Sequence, residues 1–578
     1  MAHAQVSIDL LPRWRHLFNV ALTNTRIAAI PGKGSGLVAI GSSSQSSGSN
    51  SADNQTSHGH DSSSPLISVP ADLVLHAEAV EVYAKQDRNF RLLLDAAGHK
   101  SVRGDILLFL MVQMVVSSRQ PDEDRAAMPT PWTDYVRFLP DVVLLPTMWT
   151  DEERRLLQGT SLEIAVRAKL LALEHEYDQF CEQSSDIPFW NDAFWYRKFP
   201  PQLRDWILAD AWYRSRCLEL PQFGPSMVPC IDMVNHSSTP NAYYEDRTAA
   251  PAGGGDAGVV LLLRPGQQVA ASDEITISYT GSKGDDTLAS RSSKPASEML
   301  FSYGFIDPDS IRHSLILPVQ PFPDDPLAKA KLHVFGEPAP RLEIERLQVD
   351  GVADSDDDDD DNTAGLETDK SPAHIRWTCP FAYLMCVNEE DGIDFRLRQE
   401  TDGSPQLRMF WQGNDVTDSA ANFEALASTH ELAPLFRLRV VTVLQEIIES
   451  HLERMQAVGG DQYDDDEDDE DDESDEGDGQ EANRKDDTDM ADDSNSQHDC
   501  IRSSVAKQAA ILRDIESRVL SSALETLEAE RSGLLSNATV VAYLGSMEIS
   551  QNNLVDEQAP NQGQADEAMH ESEDDDFS

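Results

Sequence analysis

Residues 231–241, IDMVNHSSTPN, hold the side chains best suited to chemistry in this chain of 578 residues. An apolar stretch runs into a polar turn there, so Asn235 and His236 place an amide and an imidazole side by side at the end of a predicted strand. Asp232 adds a carboxylate three residues earlier. The segment is also compatible with an ordinary turn whose side chains cap the local backbone. Its meaning therefore depends on what accompanies it.

Three further segments accompany it in a fixed order along the chain. The first, GKGSGLVA at 32–39, is a glycine-rich turn that either closes a plain hairpin or lets the backbone approach a ligand closely. The other two, EITISYTG at 274–281 and SEMLFSYGFI at 297–306, supply Tyr279 and Tyr303. Either tyrosine is compatible with an ordinary core position, although a buried hydroxyl would still need a hydrogen-bond partner.

This ordered set of segments resembles the SET-domain protein methyltransferases, and within them the branch typified by the Rubisco large-subunit lysine methyltransferase. The stretches WTDYVRFLP at 132–140 and YRSR at 213–216 match that branch as well. The resemblance covers residues 10–310 in its motifs and 311–550 only in its layout. It implies a SET domain over 10–310, split by a helical insert at about 72–216, and a helical substrate-binding-like domain over 311–550.

The resemblance also implies a cofactor, S-adenosyl-L-methionine. The residues that match the family's cofactor-binding positions are Gly34, Ser35, Gly36, Arg216, Asp232, Asn235, His236 and Tyr279. The glycine turn would let the backbone approach the cofactor, and the adjacent amide and imidazole would cradle it where the chain threads through a pseudoknot. Arg216 and Asp232 would hold the methionine part or order the knot. Two departures stand out: Lys33 replaces a frequent glutamate, and Ser35 replaces a bulkier apolar residue.

Two tyrosines carry the chemistry that the resemblance implies. Tyr279 matches the catalytic tyrosine, and Tyr303 matches the tyrosine that closes the lysine channel. A sulfonium needs no metal to activate its methyl group, so no metal site is expected. The attacking amine must be neutral, yet a free lysine has a pKa of about 10.4, and a narrow aromatic channel would lower that pKa. Tyr279 would orient the amine rather than act as a base, because its own pKa is about 10.

We therefore interpret the chain as a protein-lysine N-methyltransferase that acts on a protein substrate, with ribosomal or other basic proteins as a family-level expectation. Two alternatives stay open. The same fold methylates histidine in the actin-directed branch, and a degenerate chain would be a non-catalytic acidic module that binds basic proteins. Retention of Asn235, His236, Tyr279 and Tyr303 argues against degeneracy.

Periodicity predicts an α+β protein around these motifs, with a β-rich SET fold, a pseudoknot, a helical insert and an all-α C-terminal domain. Residues 26–40 read as strand, turn and strand, and apolar residues recur at helical spacing within 72–216. Further predictions are strands at 227–235, 258–263 and 274–279, a helix near 297–303, irregular structure at 311–350, and helices at 434–458 and 501–547.

Charge is concentrated in a few segments. The formal net charge is −56. Seven aspartates lie in 354–361, 21 acidic residues in 461–499 and nine in 551–578. Such runs repel themselves, so we expect disordered acidic insertions and a disordered acidic tail, and the Ser-rich insertion 41–64 should also be disordered. A phosphate-binding surface needs the opposite sign, so no direct nucleic-acid binding is expected and a basic protein surface is the better partner.

Six cysteines lack CxxC spacing and are too few for a disulfide framework, which favours a reducing compartment. The N-terminal residues show no signal-peptide pattern, and the longest apolar run, 106–116, is too short to span a bilayer. We therefore expect an intracellular, nuclear or cytoplasmic protein that is monomeric and does not enter a membrane.

Overall fold

A computed structural model describes residues 5–41, 43–44, 64–118, 127–248, 257–279, 294–307, 312–347, 374–399, 404–457 and 501–546. The acidic segments 354–361, 461–499 and 551–578 lie outside the described residues, as does nearly all of the insertion 41–64. Their predicted disorder therefore stays a prediction.

The described residues fall into two compact units. The first lies within Met1–Leu317, Glu343–Trp377 and Ser450–Ser522. The second lies within Pro318–Leu342, Thr378–Glu449 and Ala523–Ser578. Residues 343–377 and 450–522 thus cluster with the first unit, whereas the sequence alone assigned the whole of 311–550 to a separate domain.

One four-stranded sheet joins the three motif regions of the first unit. Its strands, in spatial order, are Thr25–Ile30, Gly34–Ala39, Glu274–Ile277 and Asn235–His236. The first two pair antiparallel around the glycine-rich turn, as predicted, with Ala28 opposite Gly36. The strand Glu274–Ile277 pairs antiparallel with one neighbour and parallel with the other. The α+β class is confirmed, and this sheet is the frame of the site.

A second sheet supplies the buried wall beside that frame. Its strands, in spatial order, are Ala21–Leu22, Ile67–Pro70, Gly258–Leu263 and Ala242–Arg247. All six residues of Gly258–Leu263 are buried, which explains its continuous apolar sequence. Two smaller pairings occur in the described residues of this unit: Ser43–Ser44 with Gln268–Val269, and Cys217–Leu220 with Gly224–Met227.

The insert is helical, as predicted. The helices of the first 216 residues are Leu11–Leu17, Ala77–Gln86, Arg88–Ala97, Val102–Ser117, Pro131–Tyr135, Asp151–Arg155, Leu162–Ser185, Pro188–Trp190 and Leu203–Arg216. Ten consecutive residues of Val102–Ser117 are buried, so this helix lies at the centre of the insert. A capping box begins the helix Asp151–Arg155, since Thr150 and Glu153 exchange side-chain to backbone hydrogen bonds.

The predicted strand over 227–235 is wrong. The strand Gly224–Met227 ends early, a single turn of 3₁₀-helix occupies Ile231–Met233, and only Asn235–His236 pairs with the sheet. The cause is a sharp turn at Cys230, whose φ of 68° is left-handed. Its N–H donates to the Tyr135 hydroxyl at 2.8 Å, which holds the turn in place. The apolar pattern was that of a buried segment, and burial alone does not distinguish a strand from a turn.

The C-terminal region is not all-helical, which corrects that part of the prediction. Strands Arg312–Pro318, Arg341–Leu347 and His374–Thr378 form one sheet, and Ile393–Gln399, Pro405–Trp411 and Asn414–Asp415 form another. The first two strands lie where 311–350 was expected to be irregular. β-Branched and aromatic residues, which favour strands, recur in these short stretches. The all-α prediction gave more weight to the two long helical patterns nearby.

The two long C-terminal helices are confirmed. They are Ala433–Ala457 and Ser503–Leu535, and the second ends before the predicted 547, since 536–537 are not helical and 538–546 form a separate helical stretch. Other α-helices in the described residues are Ala296–Tyr303, Ala328–Phe335, Pro380–Met385 and Phe423–Ala427. Within the described ranges, no helix is both long and apolar enough to cross a lipid bilayer.

Candidate active site

The sheet of the first unit brings the separate motifs into contact. Thr276 lies opposite Asn235, and Ile277 lies opposite His236. On its other side the same strand pairs with the strand of the glycine turn, where Glu274 lies opposite Val38. Residues of the glycine turn and of the Asn235–His236 strand, about 200 positions apart in the chain, therefore lie in one sheet, because the strand Glu274–Ile277 pairs with both.

The glycine turn has two different requirements for glycine. Gly34 has a φ of +80°, a conformation that side chains with a Cβ rarely adopt. Gly36 is needed for space, because a Cβ there would lie 2.7 Å from the Asn235 side-chain nitrogen. Ser35 lies between them and is partly buried. The structure thus brings the glycine turn and Asn235 together, while their contact with a cofactor stays a prediction.

Glu274 is a site residue that the sequence alone did not identify. One carboxylate oxygen, Oε1, accepts a hydrogen bond from the Asn235 amide at 2.8 Å. The other, Oε2, pairs with the Lys33 ammonium at 2.9 Å. Lys33, which replaces the frequent glutamate of the family, therefore finds an acidic partner on the adjacent strand. Only the structure shows this pair, since 241 residues separate its members.

Asp232 connects Tyr135 with Arg216 next to the strand Asn235–His236. Its Oδ1 accepts a hydrogen bond from the Tyr135 hydroxyl at 2.5 Å. Arg216 Nη1 donates to the backbone oxygen of Asp232 at 3.0 Å and lies 3.4 Å from its Oδ2. Burial raises the pKa of the Asp232 carboxyl, while Arg216 and the tyrosine hydroxyl oppose that shift. Arg216 and Asp232 are thus in contact, and Tyr135 is a partner that sequence reasoning missed, while the roles of Arg216 and Asp232 towards a cofactor stay predictions.

Tyr279 follows the end of the central strand and uses both of its polar groups. Its hydroxyl donates to the backbone oxygen of Val234 at 2.8 Å. Its backbone N–H donates to His236 Nδ1 at 3.0 Å. Burial raises the pKa of the Tyr279 hydroxyl above its ordinary value, with Arg216 opposing the shift. The hydroxyl is therefore neutral near neutral pH, which fits orientation of a substrate better than proton abstraction.

Four rings form an aromatic cluster, which consists of His236, Tyr279, Tyr303 and Phe305. The Tyr279 and Tyr303 centroids are 4.7 Å apart, and the His236 ring lies 5.2 Å from Tyr279. Phe305 lies 6.0 Å from His236 and 6.3 Å from Tyr279, within the usual range of aromatic pairs. Phe305 is therefore one wall of this cluster.

Hydrogen bonds fix the orientation of two rings in the aromatic cluster. His236 Nδ1 accepts from a backbone N–H, so its proton lies on Nε2, which is 3.3 Å from Asp307 Oδ2. Burial lowers the pKa of His236, and Asp307 partly offsets this. The Tyr303 hydroxyl lies 3.3 Å from the backbone oxygen of Tyr279, and burial raises the pKa of Tyr303 to about 12.

A cavity of about 680 Å³ opens beside these residues. Its walls include Arg216, Asp232, Tyr244, Tyr279 and Tyr303. It therefore combines charged groups with aromatic rings. Among the residues that the structure describes, the walls do not include the glycine turn, the adjacent amide or the imidazole, although the sheet connects all of these to the cavity walls.

Within the described part of the chain, no group of three or more His, Cys, Asp or Glu side chains is arranged so that it could hold a metal ion. Cys217 is partly buried and Cys230 fully buried, and both are free thiols. Cysteines in such positions pack as small apolar residues.

Two known proteins are similar to the chain in sequence. No protein-family model matches the chain. SET domain-containing protein 8 of Schizosaccharomyces pombe is 25% identical over 392 residues, which cover 67% of this chain and 76% of that protein. The chloroplastic ribulose-1,5-bisphosphate carboxylase/oxygenase large subunit N-methyltransferase of Pisum sativum is 26% identical over 225 residues, which cover 37% of this chain and 42% of that protein.

Solved structures give the same result for the fold. The SET domain of LSMT bound to lysine and AdoHcy matches with a TM-score of 0.53 and 16% identity, over 91% of this chain and 92% of that one. Rubisco LSMT bound to AdoMet matches with a TM-score of 0.53 and 17% identity, over 92% and 93%. By motif order, sequence similarity and fold, the chain is similar to SET-domain proteins of the Rubisco large-subunit methyltransferase branch, and it has their fold.

Proposed function

We propose that the protein is an S-adenosylmethionine-dependent protein-lysine N-methyltransferase. The observation that carries the proposal is the position of Tyr279. Its neutral hydroxyl is hydrogen-bonded to the backbone oxygen of Val234, and its ring packs against that of Tyr303, with both residues in the wall of the cavity. The relatives add support, since one is named as an N-methyltransferase and two of the similar structures hold AdoHcy or AdoMet.

The polar residues of the site fit such a cofactor. Arg216 lines the cavity, and its buried Nε has no hydrogen-bond partner among the described residues, so it is a donor available to an anionic ligand group. A Cβ at Gly36 would collide with the Asn235 side chain, so glycine lets the strand of the glycine turn lie directly against this residue. Asn235 and His236 would complete its binding site. The cofactor supplies an activated methyl group on a sulfonium.

The aromatic cluster would prepare the attacking amine. Rings on several sides disfavour an ammonium ion only where water is excluded, and exclusion of water lowers the pKa of a lysine side chain from about 10.4. Because the Tyr279 hydroxyl already donates its proton to Val234, its oxygen would accept a hydrogen bond from the amine N–H and so orient the nitrogen. Tyr303 would limit how far that nitrogen moves. Holding the amine in line with the bond to be broken would provide most of the rate enhancement.

We infer that the protein substrate has a basic surface, because the chain carries a formal net charge of −56. Deleting 354–361 and 461–499 should then raise KM for a basic substrate at low salt and leave kcat nearly unchanged. The difference should fade as salt shortens the screening length from about 10 Å at 0.1 M. Parallel plots of KM against ionic strength for the full and deleted proteins would instead mean that these segments only aid solubility.

The direct test of the function is a labelling experiment. The purified protein is incubated with S-adenosylmethionine carrying a labelled methyl group and with an extract of cells that lack the protein. Mass spectrometry then identifies the labelled residue, and the Tyr279→Phe variant serves as the matched control. A labelled lysine that depends on Tyr279 supports the proposal. A labelled histidine would assign the protein to histidine methylation instead, and no labelled protein would contradict enzymatic function.

A further inference from the structure

A glutamine far along the chain holds the backbone beside the aromatic cluster. Gln508 Oε1 accepts a hydrogen bond from the backbone N–H of Ile306 at 2.9 Å, across 202 residues of sequence. Ile306 is buried, with 4% of its surface exposed. A buried backbone N–H needs a partner, and residues 305–307 are neither helix nor strand. The glutamine therefore supplies a bond that secondary structure does not.

Both neighbours of Ile306 contact the proposed catalytic machinery. Phe305 lies 6.0 Å from the His236 ring and 6.3 Å from the Tyr279 ring. Asp307 Oδ2 lies 3.3 Å from His236 Nε2. A displacement of the Ile306 backbone would therefore move a wall of the aromatic cluster and the carboxylate that faces the imidazole.

The helix that carries Gln508 is itself fixed on both sides of the glutamine. Before it, the Arg502 guanidinium makes two hydrogen bonds to Glu153 and lowers the pKa of that carboxyl to about 2. After it, Arg513 donates to the backbone oxygens of Leu156 and 158 and Glu516 accepts from Ser161. Contacts to the same short stretch of the first unit thus prevent the helix from sliding, and Gln508 is presented in a defined position.

We propose that Gln508 is a positioning residue for methyl transfer. It acts through Ile306 on Phe305 and Asp307, and through them on His236 and Tyr279. This inference rests on the proposed function, since it assigns a role within that reaction, and it adds a residue from the C-terminal helix to a site whose other members lie before position 308. Gln508 is not itself a wall of the cavity.

The experiment compares two replacements of similar length. Gln508→Met removes the acceptor and keeps the shape, whereas Gln508→Glu keeps an acceptor oxygen. Arg513→Met is the matched control, because it removes one contact of the same helix, leaves Arg502 and Glu516 to hold Gln508 in position, and does not touch residues 305–307. Three quantities are measured for each: amide hydrogen exchange of a peptide covering 304–307, kcat with KM for the labelled protein substrate, and the Kd for S-adenosylmethionine.

The positioning role predicts a specific pattern. Gln508→Met should speed exchange at Ile306 and lower kcat by about tenfold, because small misplacements next to a reacting centre are costly. Its Kd for S-adenosylmethionine should stay within about twofold of the wild type, since a positioning loss is expressed in the transition state. Gln508→Glu should restore slow exchange at Ile306. Arg513→Met should lower the melting temperature but leave kcat as in the wild type.

Other patterns overturn the inference. Unchanged exchange and unchanged kcat in Gln508→Met would show that the hydrogen bond positions nothing. An equal loss of kcat in Arg513→Met would mean that the helix matters only for stability. If the wild-type protein methylates nothing, the proposed function fails. The positioning contact is then judged by exchange at Ile306 and by NMR titration of His236, which Gln508→Met must shift and Arg513→Met must not.

Discussion

The site has two halves that are built on different principles. The polar half, Arg216, Asp232, Asn235 and Glu274, consists of charged and amide groups that bond mainly to one another across distant segments. In the aromatic cluster, by contrast, the tyrosine hydroxyls bond to backbone oxygens and the rings pack against one another at tilted angles. Removing a member of the polar half leaves a buried partner unpaired, which costs folding free energy. Removing a hydroxyl from the cluster leaves the rings in place, so function should suffer more than stability.

The largest effect should follow loss of Asp232 from the polar half. Its side chain has no exposed surface and is bonded to Tyr135 and Arg216. Asp232→Ala should lower the free energy of unfolding by about 3–5 kcal/mol, the usual cost of leaving one member of a buried pair alone. Denaturant unfolding measures this. Asp232→Asn keeps an acceptor for Tyr135 and should lose less, and equal losses in the two variants would show that the carboxylate is not what ties the knot.

Tyr279→Phe is the corresponding change in the aromatic cluster. It should lower turnover by about 10²-fold, the usual scale for one transition-state contact, and lower the free energy of unfolding by only about 1 kcal/mol. Kinetics with the labelled protein substrate and thermal unfolding measure the two quantities side by side. A variant that unfolds readily but keeps its turnover would reverse the proposed difference between the halves.

His236 belongs to the aromatic cluster, but its imidazole titrates, so its contribution to stability depends on pH. Burial lowers its pKa in the folded protein, so the unfolded chain takes up a proton first as the pH falls. The stability from this group is therefore complete above the unfolded pKa of about 6.5 and is lost as the pH falls below it. His236→Asn keeps an acceptor oxygen near the Nδ1 position and cannot titrate. Unfolding measured from pH 7.5 to 5 should show a smaller loss in the variant, and identical curves would contradict the assignment.

The smallest effect should come from Lys33, at the exposed edge of the polar half. Half of its side chain is exposed, and exposed ion pairs contribute about 0–1 kcal/mol. Lys33→Ala should therefore change the Kd for S-adenosylmethionine by less than about threefold. Glu274→Ala, which also removes the partner of Asn235, should weaken binding more. Equal effects in a calorimetric titration would mean that the lysine contributes directly to binding.

Sequence reasoning located the residues whose types are themselves informative. Asn235, His236, Tyr279 and Tyr303 stand in short motifs, and the sheet brings the first three together as the motif order predicts. Short motifs are visible because all of their members lie within a few positions of each other. The helical insert was equally visible, because its apolar residues repeat with a helical period.

Residues defined by a distant partner could not be found in this way. In the sequence Glu274 is an ordinary polar residue of an alternating strand, and only the structure shows its contacts with Lys33 and Asn235. Gln508 is one polar residue of a long helix until Ile306 meets it. The strand predicted over 227–235 failed for a related reason, since the left-handed turn at Cys230 depends on a hydrogen bond to Tyr135, which lies 95 residues away.

Calorimetric titration of S-adenosylmethionine into the wild type, Asn235→Ala and Tyr279→Phe tests the central claim most directly. The account predicts saturable binding by the wild type with a Kd of about micromolar order. Loss of one well-placed hydrogen bond should weaken Asn235→Ala by about tenfold, whereas Tyr279→Phe should bind as the wild type does. Absence of saturable binding by the folded wild-type protein would contradict the assignment of this site to methyl transfer.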